Sequence, residues 1–237
     1  MQARLNANRG YNKQLSTQAG QVLSGLRYLT TRKGPLALPA FDVVGFLKSD
    51  DTAPRVDGQI LLAPATIGPQ RPGKNPTVER EPGIQCIGFT LRPQSEGTIS
   101  ITSDDPSAPL RIVPNYYATP DDRRTGVAVF RKMRDLLAAE PLVRHIDHET
   151  LPGPSLQDDE AIIEMALERG YCGYHAIGTC AMGPDQHDVV DSQLRVRGVD
   201  GLRIMDCSVL PAMVSGNLNG PMMAMAWLAA DVIRDSA

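Results

Sequence analysis

The chain has 237 residues, 42% of them hydrophobic and 22% charged, which is the balance of an ordinary globular protein and excludes a disordered one. A net charge of −3 gives no general attraction to nucleic acid or acidic membranes. The longest apolar run, residues 222–230, is too short for a membrane span of ~20 residues.

In chain order, residues 1–34 begin polar and irregular and lack the apolar core of a secretion signal, which gives a cytoplasmic reading. Residues 22–29 then offer one short amphipathic stretch, expected to pack. Residues 43–47 and 59–64 read as two strands, the first entered from the loop at residues 35–40. Residues 68–83, rich in Pro, Gly and charge, read as a loop or lid. Residues 85–91 set Gln85, Ile87, Phe89 and Leu91 on one side of a half-buried strand. Residues 97–102 alternate with period two, and the turn at residues 93–97 predicts antiparallel pairing of these two strands.

Thr119-Pro120-Asp121-Asp122 gives a helix start with its cap, a first-turn proline and an acid three residues on. Val127, Phe130, Met133, Leu136 and Leu137 make its expected buried stripe. Ser155 and Asp158 give a second capping signal ahead of a helix carrying Ile162, Ile163, Met165, Ala166 and Leu167. A final helix runs from about Pro221 to about Arg234, apolar on most faces and so expected to be buried.

Four irregularly spaced cysteines, Cys86, Cys172, Cys180 and Cys207, form no C-x-x-C pair. They are read as reduced, mostly buried thiols and not as a zinc site or disulfide framework. His145, Asp147, His148 and Glu149 lack a third metal ligand and read as a solvated loop, as does His187, so no metal site is expected.

The densest signal lies near the C-terminal end. It is Tyr174-His175-Ala176-Ile177-Gly178-Thr179-Cys180-Ala181-Met182-Gly183, then Met205-Asp206-Cys207-Ser208, then Ser215-Gly216-Asn217-Leu218-Asn219-Gly220-Pro221. It sets a histidine, an aspartate and an asparagine on Gly-bounded turns, where a backbone can approach a ligand closely. Taken singly, His175 could be a satisfied buried histidine, Asp206 a turn cap, and Asn217 and Asn219 supports for left-handed turns.

Together with Val190-Asp191-Ser192-Gln193-Leu194-Arg195-Val196-Arg197-Gly198, these blocks resemble the C-terminal part of the glucose-methanol-choline (GMC) flavoprotein oxidoreductases. They stand in that family's order and spacing, and weaker likeness extends upstream through Leu91-Arg92-Pro93-Gln94-Ser95-Glu96-Gly97 and Pro114-Asn115-Tyr116-Tyr117. The resemblance puts His175 at the catalytic-base position and Asn217 at that of the second active-site residue, which hydrogen-bonds the substrate oxygen. Hydride would pass to N5 of an FAD. Asp206, Cys207, Asn217, Leu218 and Asn219 would neighbour the flavin, several through backbone atoms. The helix after Pro221 would set its positive end near the flavin's N1 and C2 carbonyl. Trp227 stands where many members carry a glutamate.

The G-x-G-x-x-G turn with which such enzymes grip the pyrophosphate occurs nowhere in these residues. The expected domains are residues 1–84, a partial substrate-side region with a loop or lid, and residues 85–237, a substrate-binding and catalytic domain. The FAD-binding Rossmann half would come from the same or a companion chain. The expected fold is α+β, a mainly antiparallel substrate-domain sheet backed by helices, with a C-terminal strand-turn-helix completing the flavin site. The expected function is FAD-dependent oxidation of a small-molecule alcohol, with little activity from this chain alone. The alternatives are a non-catalytic binding or assembly module and a hydroxynitrile-lyase-like member of the same fold.

Overall fold

The computed structural model describes residues 1–68, 77–170 and 172–235. Its elements are β1 (Gln2–Leu5), α1 (Asn12–Leu15), α2 (Gln18–Thr31), β2 (Val43–Leu47), β3 (Gly58–Ala63) and β4 (Gly83–Thr90). There follow β5 (Thr98–Ser100), β6 (Arg111–Val113), α3 (Pro120–Ala138), β7 (Ile146–Leu151), α4 (Asp159–Arg169) and α5 (Asn219–Asp235). Two compact units are each assembled from two stretches of chain: Met1–Thr90 with Arg124–Glu168, and Leu91–Arg123 with Arg169–Ala237.

The first unit holds a five-stranded sheet, ordered β2-β3-β4-β1-β7, in which every neighbouring pair is antiparallel. This is the expected α+β architecture. Helix α3 covers the sheet because its apolar residues recur at helical spacing: Val127, Phe130, Met133 and Leu137 are buried, with Val129 beside them. Each such side chain contributes about 1.5–3 kcal/mol relative to leaving it in water. Close approach is possible because β3 and β4 present glycines. A Cβ at Gly58 or at Gly88 would lie 2.7 Å from Val129. Leu136, expected in the stripe, is instead exposed, since it sits at the stripe's edge.

The expected pairing of residues 85–91 with 97–102 does not occur. Both edges of β4 are already occupied, by β3 and β1, so β5 pairs with β6 in a separate two-stranded ribbon. The stretch read as a solvated loop at residues 145–149 is a short 3-10 turn entering β7. There Glu149 forms a two-pronged ion pair with Arg134, at 2.9 and 3.0 Å. Arg134 also donates to the carbonyls of Gly153 and Leu156 and lies over the Phe130 ring at 4.7 Å.

The capping signals are formed, with changes of partner. Asp122 N donates to Thr119 Oγ1, yet the Asp122 carboxylate reaches out to the N–H groups of Gln94 and Ser95. At α4 Asp158 itself is the cap, accepting from Ala161 N at 3.1 Å, and Leu167 on that helix is exposed. Of the loop read as a lid, residues 69–76 lie outside the described residues. Its flanks are joined by an Ile67–Val78 bridge and a Gly68 N to Thr77 O hydrogen bond of 2.8 Å.

One side chain ties these flanks to β4. Asn12 is fully buried, its amide donating to Thr66 O, Thr66 Oγ1 and Glu79 O, while Oδ1 accepts from the N–H groups of Thr66 and Gly83. Truncation would strand two backbone donors, at about 1–3 kcal/mol each when buried. Asn12→Ala should therefore lower the free energy of urea unfolding by at least about 2 kcal/mol, the lower end of that sum. A loss below about 0.5 kcal/mol would mean that water replaces the amide at no cost.

Candidate active site

Within the second unit the sequence blocks meet because they share one core. Val190, Leu194, Val209 and Ala229 are buried together, with Met182, Val196, Ile204, Met205 and Met225 packed against them. The first block thus supplies Met182, the middle one Val190 to Met205, and α5 contributes Met225 and Ala229. Backbone hydrogen bonds lace the same segments, Cys180 N to Ser208 O at 3.0 Å and Met182 N to Val209 O at 2.9 Å. Asp191 builds the turn between them, accepting from the N–H groups of Gln193 and Arg195 and from Arg195 Nε. The Arg195 N–H is the main cause that holds the Asp191 carboxyl below the usual carboxylate range. Leu194 takes a left-handed φ of 63° inside that turn.

From this base the chain presents two side chains to each other across forty-two positions. His175 Nε2 and Asn217 Oδ1 are hydrogen-bonded at 3.1 Å. His175 lies between Tyr174, at φ 57°, and Gly178, at φ 84°, so left-handed backbone bounds the turn that carries the imidazole. The imidazole is half-buried and the carboxamide exposed. Asn217 stands two residues ahead of α5, on a loop also held by a hydrogen bond from Arg92 to Ser215.

The other expected site residues fall around the same loop. Asp206 caps the 3-10 turn at Cys207–Val209, accepting from Ser208 N at 2.7 Å. Hydrogen bonds from the Ser208 side chain, then from its N–H, hold the Asp206 carboxyl below the usual range. Cys207 is half-buried, Leu218 is buried and Asn219 is exposed at the start of α5. The Leu218 side chain is buried, and its carbonyl accepts from Met222 N at 2.9 Å.

Two residues adjoin the pair that the sequence motifs do not single out, Arg92 through Ser215 and Tyr174 beside His175. Arg92 lay inside a motif noted for its likeness alone, and Tyr174 beside the histidine is 88% exposed. A bulky aromatic at positive φ next to a candidate base was the available signal for Tyr174. The final helix also departs from expectation. Met223, Trp227 and Leu228 are exposed, because only the face carrying Ala229 and Met225 meets the core.

The cysteines differ in the same way. Cys86 is buried, and desolvation pushes its thiol up to about 11, whereas Cys172 is exposed and Cys180 and Cys207 are intermediate. Cys172 accepts from Tyr174 N at 3.4 Å, and its hydrogen bond is the main cause that raises the Tyr116 hydroxyl to about 12. Iodoacetamide at mildly alkaline pH should label Cys172 first and Cys86 only after unfolding, as read by peptide mass spectrometry. Early labelling of Cys86 would contradict the packing of β4.

Residues 93–226 match the GMC oxidoreductase family model, in its C-terminal part. The chain belongs to the GMC oxidoreductase family. An alcohol dehydrogenase [acceptor] of Pseudomonas putida is 33% identical over 211 residues, which cover 87% of this chain and 37% of that protein. An oxygen-dependent choline dehydrogenase of Chromohalobacter salexigens is 33% identical over 210 residues, covering 89% and 37%. A formate oxidase crystal structure shares the fold with TM-score 0.82 at 20% identity, over 99% of this chain and 45% of that one. The chain thus spans well under half the length of the GMC oxidoreductases it matches.

The residues present fit the reactive edge of a flavin. An added Cβ at Gly216 or Gly220 would meet nothing within 4 Å, so the loop carrying Asn217 leaves its backbone open. It leads into the N-terminus of a 17-residue helix, whose free N–H groups and dipole favour developing negative charge. Among the described residues no group of three metal-ligating side chains converges, and no helix is long and apolar enough to cross a membrane.

Proposed function

We propose that this chain is the substrate-side, catalytic part of an FAD-dependent oxidoreductase acting on CH–OH donors, with His175 as base and Asn217 as its partner on the substrate oxygen. The observation that carries the reading is the 3.1 Å contact between two side chains forty-two residues apart. Imidazole and carboxamide satisfy each other there, and an alcohol hydroxyl entering between them would satisfy both. With the imidazole as its Nδ1–H tautomer and the carboxamide turned over, the O–H would donate to Nε2 and the alcohol oxygen would accept from the Asn217 Nδ2–H. A bound flavin supplies the acceptor for the hydride. The imidazole holds the proton as the carbon is oxidised, and the carboxamide holds the oxygen in place.

Asp206, Cys207, Leu218 and Asn219 are proposed as flavin neighbours, Leu218 through its backbone. The grip on adenosine and diphosphate belongs to an FAD-binding half in the same or a companion polypeptide, so the chain alone should hold FAD poorly and turn over little. We place the enzyme in the cytoplasm, a reading supported by the four free cysteines.

The test joins the chain to an FAD-binding half and adds primary and secondary alcohols with oxygen excluded. Bleaching of the flavin's visible absorption supports oxidation. An oxidised spectrum with every alcohol, alongside cyanide release from a cyanohydrin, would replace oxidation by the lyase reading.

A further inference from the structure

Helix α2 leaves its apolar face uncovered in this chain. Val22, Leu26 and Leu29 share one face at helical spacing with Leu23 on its flank, and these four are 57–70% exposed. The one buried residue of the helix is Ser24, on the far side. Thr17 caps its start by accepting from Gly20 N, and Arg32 in the left-handed region ends it, so the helix is well formed and not frayed. Within this chain the apolar side expected to pack therefore has no cover.

The charge around it is of one sign. Six of the chain's 24 cations and none of its 27 acids fall within the first 41 residues. Arg4 is turned to Glu79 and Glu81, while Arg9, Lys13, Arg27, Arg32 and Lys33 are exposed. Leu36 and Leu38, just beyond the helix, are exposed as well. Other exposed apolar stretches differ: α5 carries Asp231 and Asp235, and Asp50 and Asp51 follow β2.

We propose that α2 is a membrane-surface element that lays Val22, Leu23, Leu26 and Leu29 into the headgroup region of an anionic lipid bilayer, with the surrounding Lys and Arg on the phosphates. Amphipathic helices with an apolar face and basic flanks bind in this way, lying about 5–10 Å deep. A protein partner burying the same leucines would have to bring acids to a segment whose first 41 residues supply only cations, whereas an anionic bilayer presents phosphates throughout. The chain's net negative charge does not oppose this, because acids more than ~8 Å away are screened at physiological salt. The inference does not depend on the reaction proposed above.

Sedimentation of the 237-residue chain with phosphatidylcholine vesicles, with and without phosphatidylglycerol, tests it. Binding should be at least tenfold tighter to the anionic vesicles and weaken as salt rises. The double substitution Leu23→Glu and Leu26→Glu, at exposed positions, should remove it without changing the circular dichroism. Leu26→Trp in a Trp227→Phe background should shift its fluorescence to the blue on the same vesicles. Equal partition to both vesicle types, or unaltered binding by the Glu variant, would overturn the proposal. So would protection of a Leu26→Cys label, without lipid, in the enzyme joined to its FAD-binding half, which would show that protein covers this face.

Discussion

Replacing His175 by alanine should lower the rate of flavin reduction by an alcohol about 10²–10⁴-fold in the assembled holoenzyme, the range that a positioned base contributes. Flavin content and the unfolding midpoint should stay close to those of the parent, since the imidazole is half-buried and its hydrogen bond is to an exposed carboxamide. His175→Gln should not restore the rate, because a carboxamide can hold the oxygen but accepts no proton at working pH. A loss of flavin in step with the loss of rate would assign His175 a structural role instead.

Arg134→Met should be the most destabilising of the substitutions considered, by about 3–5 kcal/mol in urea unfolding, the cost of leaving one partner of a buried pair behind. Both side chains are under one-fifth exposed, and Glu149 would keep its bond from Gly153 N at 3.1 Å and the weaker attraction of the Met1 ammonium. The double variant Arg134→Met with Glu149→Gln should recover part of the loss, as it removes the stranded charge. A double variant no more stable than the single one would show that the carbonyl bonds of Gly153 and Leu156 carry the effect.

How far the sequence could be read depended on what each signal measures. Caps and helical spacing are local, so α3, α4 and α5 were placed within a few residues. Strand pairing is not local. Residues 97–102 read as a strand, but the choice of partner depended on β4 being enclosed by β3 and β1, which no turn motif records. Burial failed where an apolar side chain faces away from its unit. At α2 and α5 periodicity finds an apolar face, and the sequence does not say what covers it. The candidate site was readable for a different reason. His175 and Asn217 sit on turns whose glycines and core residues recur in a family's order, and the shared core of Val190, Leu194, Val209 and Ala229 brings them together. Arg134 and Asn12 were missed, because a single long side chain bonding distant carbonyls leaves no periodic trace.

The most direct test of the paired site is a double-mutant cycle on the rate of anaerobic flavin reduction, using His175→Ala, Asn217→Ala and the two combined in the assembled enzyme. If imidazole and carboxamide act on one hydroxyl, the combined variant should be about as slow as His175→Ala alone. Losses that simply multiply would show that the two side chains work on separate steps, and would contradict a common substrate oxygen between them.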